Sequence, residues 1–122
     1  MHRFSVATRL MSAAALLAVL GVLAAPALAA RSHASVAAVT VTATDFKFKL
    51  SKLSAPHGKV VFTFVNKGKV PHDFKINGKK TSLVKPGKSV KLTVTFKAGK
   101  FTYLCTVPGH AALGMKGTLT AK

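Results

Sequence analysis

Acidic side chains are nearly missing from this sequence. It has 122 residues, 19 of them lysine or arginine, and only Asp45 and Asp73 to oppose them, for a formal net charge of +17. So lopsided a balance implies either a solvated, self-repelling surface or attraction to acidic partners, anionic lipid or cell-wall polymers. Cysteine is almost as scarce. Cys105 is the only one, which rules out a disulfide within the chain and leaves a thiol that calls for an explanation. Tryptophan is absent and tyrosine occurs once. No aromatic stacking platform accompanies a nucleic-acid motif, so a nucleic-acid partner is not expected. No pairing of general acid, base and nucleophile stands out, and no catalytic role is expected.

The first 29 residues read as a signal peptide. Arg3 and Arg9 precede an apolar run from Leu10 to Ala25, and Pro26-Ala27-Leu28-Ala29-Ala30 has the small-x-small character of a cleavage site. The run is short of the ~20 residues that span a bilayer comfortably. Cleavage after Ala29 would remove Arg3 and Arg9 and lower the net charge by two, to +15. The protein is therefore expected outside the cytoplasm, in a periplasm or secreted. There an unpaired thiol is well explained by a metal, whose binding would also stabilise a small fold.

Residues 30–38 are small and polar and are expected to form a flexible leader, with one domain over 39–122. From Val39 the pattern has period two. Val39, Val41 and Ala43 alternate with threonines, and Phe46, Phe48 and Leu50 with lysines. Val60, Phe62 and Phe64 share a face, as do Val90, Leu92, Val94 and Phe96; Phe74 with Ile76, Phe101 to Cys105 and Lys116 to Thr120 complete the set. Alternation of β-branched and aromatic residues marks half-buried strands. Pro56-His57-Gly58, Asn66-Lys67-Gly68, Asn77-Gly78, Pro86-Gly87 and Ala98-Gly99 punctuate the runs, and Asn77-Gly78 suits a tight hairpin. About seven short strands predict an all-β, antiparallel β-sandwich.

The stretch Tyr103 to Met115 carries the chemistry. Cys105, His110 and Met115 are spaced C-x4-H-x4-M on one loop, with Pro108-Gly109 bending it before the histidine and Gly114 before the methionine. Thiolate, imidazole and thioether form a soft mixed donor set. Two His and one Cys with a weak axial Met is the arrangement of blue copper sites, whereas structural zinc gathers Cys and His without Met. The second imidazole must come from elsewhere. His72, where a loop enters a strand in Val70-Pro71-His72-Asp73-Phe74, is the best placed; His57 lies in a surface-type Pro-His-Gly turn, His33 in the leader and His2 in the signal.

These motifs resemble those of the cupredoxins, the family of plastocyanin and azurin. Phe46-Lys47-Phe48, the strand Gly58 to Asn66, Pro71-His72-Asp73-Phe74, Pro86-Gly87 and Gly99 to Cys105 fall where that family's pattern has them, over nearly all of residues 39–122. The resemblance implies a Greek-key β-sandwich binding one copper ion. Its ligands would be His72, Cys105 and His110, with Met115 axial. It also implies an exported, monomeric one-electron carrier cycling between Cu(I) and Cu(II). Asp73 stands where many members carry an asparagine whose side chain tethers the two ligand loops, and the acidic docking patch of plant plastocyanin has no counterpart. The expected partner is a redox protein, possibly acidic in surface, with anionic membrane or cell-wall surfaces as further contacts. Two other functions use the same features: extracytoplasmic copper storage or delivery, and a metal-free basic interaction module.

Overall fold

The computed structural model describes residues 14–15, 18–26 and 35–122. The expected signal peptide lies partly outside the described residues, and so do His2 and His33. Residues 18–26 form neither helix nor strand, and among the described residues no helix is long and apolar enough to cross a membrane. Nine strands run β1 (Ala37–Thr44), β2 (Lys47–Leu50), β3 (Ser54–Ala55), β4 (Gly58–Asn66), β5 (Lys75–Ile76), β6 (Lys79–Lys80), β7 (Ser89–Phe96), β8 (Gly99–Leu104) and β9 (Lys116–Ala121). The alternation read from the sequence is present as burial. In β4, Val60, Phe62 and Phe64 are fully buried while Lys59 is exposed.

Two sheets form the sandwich, one ordered β2-β1-β4-β7 and the other β3-β9-β8-β5-β6. The chain passes from one to the other between β2 and β3, β3 and β4, β4 and β5, β6 and β7, and β7 and β8, the crossing pattern of a Greek-key sandwich. The antiparallel expectation needs correcting at two places: β1 pairs with β4, and β3 with β9, in parallel. Alternation reports which side chains point inward and carries no information on strand direction. The excursion through β2 and β3 supplies the long connection that a parallel pair requires. β1 begins at Ala37, two residues before the alternation at Val39.

The core between the sheets is aromatic. Phe74 is fully buried and lies 5.3 Å from Phe62, 5.6 Å from Phe48, 5.7 Å from Tyr103 and 6.1 Å from Phe64, ring centre to ring centre. Tyr103 faces Gly117 across β8 and β9, and its ring occupies the space that a Cβ at Gly117 would need. At the β5–β6 hairpin, Asn77 and Gly78 both take positive φ, 48° and 72°. That is the two-residue turn whose twist matches the strands it joins.

Candidate metal centre

His72 is positioned by the chain that leaves β4. Asn66, the last residue of that strand, is fully buried. Its side-chain amide donates to the Val70 and Val84 carbonyls (2.9 and 2.8 Å) and its carbonyl oxygen accepts from the Gly68 amide (2.8 Å). One side chain thus shapes the 66–72 loop by replacing the strand partners the backbone has lost. His72 then forms an isolated bridge with Val84: its N–H donates to the Val84 carbonyl (3.1 Å) and its carbonyl accepts from the Val84 N–H (2.8 Å). Main-chain bonds on both sides of the Cα fix the direction in which the side chain leaves the backbone.

Cys105 and Met115 stand at the two ends of the loop joining β8 to β9, and the Cys105 N–H donates to the Met115 carbonyl (3.0 Å). Between them the loop winds as successive turns, with His110 N–H on the Val107 carbonyl (3.1 Å) and Met115 N–H on the His110 carbonyl (3.2 Å). Gly109 and Gly114 have φ of 82° and 121°, a region that side chains disfavour. At Gly114 a Cβ would also sit 3.4 Å from the Phe46 carbonyl.

The two loops meet at one point. His72 Nδ1 lies 3.1 Å from His110 Nδ1, which lies 3.6 Å from Cys105 Sγ, and donor atoms of all three residues fall within 4.8 Å of one another. His72 and Cys105 are buried and His110 is half-buried; Met115, at the end of the same loop, is fully buried. Phe46 closes the cluster on one flank, its ring centre 4.9 Å from that of His110 and 6.1 Å from that of His72. His57 is not brought here. It lies just before the opposite end of β4, with Nδ1 2.6 Å from the Lys122 carbonyl.

The chain's two acids both serve this cluster. His72 Nε2 donates to Asp45 Oδ1 (2.6 Å), and the Lys69 amide donates to Asp45 Oδ2 (2.8 Å). The Lys69 amide first, and then His72, hold the Asp45 carboxyl below the usual carboxylate range. A carboxylate on Nε2 keeps the ring proton there and turns the Nδ1 lone pair toward Cys105 and His110, the usual device for orienting a metal-binding histidine. Gly68 makes room for it. A Cβ at that position would collide with Asp45 Oδ1 and stand 2.9 Å from His72 Nε2. The sequence reading missed Asp45; the available signal was that it is one of only two acids in a strongly basic chain.

Asp73 takes the tethering place. Its Oδ1 accepts from the Thr106 N–H (2.6 Å) and its Oδ2 from the Thr106 hydroxyl. The residue after His72 is thereby fastened to the residue after Cys105. The Cys105 thiol is pushed above its usual pKa, chiefly by burial, with backbone amide contacts opposing the shift and the Asp73 charge adding to it.

The donor chemistry fits copper. A thiol sulfur with two imidazole nitrogens suits a copper–thiolate centre, and a nearby thioether is foreign to most structural zinc sites.

Comparison with known proteins agrees. Residues 13–121 match the family model of the cupredoxin-like domain. Auracyanin B superposes with a TM-score of 0.63 at 27% identity, covering 70% of this chain and 88% of that one. A dithionite-reduced auracyanin from Roseiflexus castenholzii has a TM-score of 0.63 at 22% identity, covering 70% and 96% of the two chains. An azurin from Methylomonas sp. strain J has 0.60 at 17%, covering 70% and 98%. The last two speak to the fold alone. A 41-residue segment, 33% of this chain, is 51% identical to the copper-resistant cuproprotein CopI of Pseudomonas aeruginosa, and the match spans only 23% of that relative.

Proposed function

Because this chain belongs to the cupredoxin-like family and its cofactor is one copper ion, we propose that it is an exported type 1 copper protein that carries single electrons. The observation behind this reading is the convergence of donor atoms of His72, His110 and Cys105 within 4.8 Å, in a fold whose neighbours include auracyanin and azurin. His72, Cys105 and His110 would hold the ion, with the Met115 thioether as a weak fourth ligand. A bound copper ion supplies a one-electron couple tuned by its ligands and their hydrogen bonds. Asp45 holds the proton on His72 Nε2 and presents the Nδ1 lone pair inward. Asp73 and Thr106 keep the Cys105 and His72 loops together. Phe46 excludes water from one side of both imidazoles. The proposed role is carriage of electrons between partners, with no catalytic step of its own.

The optical spectrum of the protein with copper(II) tests the site. An intense thiolate-to-copper band is expected, and Cys105→Ser should abolish it; a colourless copper(II) form overturns the assignment. Met115→Leu should keep the colour and change the potential. The match to a copper-resistant cuproprotein favours a second reading, copper storage or delivery outside the cytoplasm. Repeated reduction and oxidation without metal loss supports the carrier; transfer of copper(I) to a competing chelator on each reduction supports delivery.

A further inference from the structure

Five of the nine strand lysines have a threonine as cross-strand neighbour, Lys79 has Ile76 and Lys116 has Leu104, and one pair of lysines oppose each other. Lys49 stands opposite Thr42, Lys47 opposite Thr44, Lys59 opposite Thr95, Lys91 opposite Thr63 and Lys100 opposite Thr120. Each of these cations thus has a neutral hydroxyl as its cross-strand neighbour. Lys75 does not: it stands opposite Lys80. The same row continues through Leu104, opposite Lys75, to Lys116, opposite Leu104. Directly opposed residues share a face. Lys75, Lys80 and Lys116 are exposed and Leu104 half-buried, while Ile76, Tyr103 and Leu119 of the same strands are buried. Four strands about 4.8 Å apart therefore line up two lysines on one side of Leu104 and one on the other, in a row about 14 Å long.

Like charges directly opposed across strands are destabilising, and this protein has no spare carboxylate to relieve them. Asp45 is committed to His72 and Lys69, and Asp73 to Thr106. The row also abuts the metal centre: Leu104 precedes Cys105, Lys116 follows Met115, and Lys75 is three residues from His72.

We propose that the Lys80–Lys75–Leu104–Lys116 row is the docking surface for a protein partner that presents carboxylates flanking an apolar side chain. Charge complementarity gives the sign of the partner, and the apolar side chain flanked by charges gives its class. An anionic bilayer would draw on dispersed lysines of every face, and would not single out one row. The partner's redox role rests on the carrier reading above; the docking itself does not.

The test uses the full chain loaded with copper(I) and isotopically labelled. The probe is a synthetic peptide of glutamates flanking a leucine, titrated by NMR. The amides of Lys75, Lys80, Leu104 and Lys116 should shift first. Lys75→Glu should weaken the peptide about tenfold, and Lys91→Glu, an equal change in net charge on the other sheet, by much less. Lys75→Glu places opposite charges across β5 and β6, so it should melt no lower than the wild type and cannot fail by unfolding. Equal weakening by the two substitutions overturns the proposal. So does a difference seen only with phosphatidylglycerol vesicles and not with the peptide, which would make the row a lipid contact. The carrier reading fails separately, through loss of the copper(II) band or of redox cycling, and the peptide titration can then be run on the metal-free chain.

Discussion

Asp73→Ala is the most informative perturbation of the scaffold under the metal centre. Asp73 is only 4% exposed, and both its oxygens accept from Thr106, one from the N–H at 2.6 Å and one from the hydroxyl. A hydrogen bond to a charged group contributes about 1.5–3 kcal/mol. Thr106 is half-buried, so its hydroxyl can turn to water when the acceptor is removed, whereas its N–H is tied to the backbone direction. A loss of about 3 kcal/mol follows for Asp73→Ala in the metal-free protein. For a domain of this size that corresponds to a midpoint lowered by roughly 12–24 °C. Asp73→Asn retains an acceptor for the N–H and offers its own amide to the hydroxyl, so it should cost about 1 kcal/mol. Thermal unfolding followed by circular dichroism, with urea unfolding as a check on two-state behaviour, measures both. A drop of less than about 4 °C for Asp73→Ala, or equal losses for alanine and asparagine, would refute the tether.

Gly68→Ala drives a Cβ into Asp45 and His72, and should lower copper affinity by about 10–100-fold, the usual effect of losing a ligand's supporting hydrogen bond; competition with a copper(I) chelator reads it. Phe74→Ala removes the ring that four other aromatics surround, and should cost about 3–5 kcal/mol of stability by urea unfolding. The raised Cys105 pKa has a definite sign in the metal-free protein. Its stabilising contribution is complete below the ordinary thiol pKa of 9.0 and is lost as pH rises from there through the raised value. Below that range copper must displace the thiol proton, so apparent affinity should rise about tenfold per pH unit from this group alone. A flat affinity between pH 6 and 8 would exclude the thiolate as a donor.

Local patterns were the legible part of the fold. Period-two burial in β1, β4 and β7 and the Asn77-Gly78 turn depend on neighbours a few residues apart, and the sequence displays them directly. β3 and β6 were not legible, because strands of two residues such as Ser54–Ala55 and Lys79–Lys80 exist only through partners elsewhere in the chain. Parallel pairing of β1 with β4 is invisible for the same reason. At the metal centre the spacing of Cys105, His110 and Met115 on one loop could be read. His72 was chosen on the context of its own loop, and the structure brings it to Cys105 and His110 while leaving His57 at the far end of β4. Asp45 contacts His72 across 27 positions, and Asn66 acts by shaping a turn, so neither leaves a pattern in the residues around it. Asp73 was noticed as a departure from asparagine; only the placement of Thr106 shows that it still fastens the two loops.

That both carboxylates turn toward the metal centre has a consequence for how copies of this protein treat one another. Asp45 and Asp73 each face a partner within the fold, and the remaining surface charge is of one sign. Two copies approaching in solution repel at every orientation, over a range set by the Debye length, about 8 Å in physiological salt. Electron self-exchange between a reduced and an oxidised copy needs their copper ends to touch, so it should be slow and should accelerate as salt is added. The same repulsion leaves encounters with acidic proteins unhindered. On the carrier reading proposed above, an electron would therefore wait for a partner of opposite charge instead of hopping to an identical neighbour.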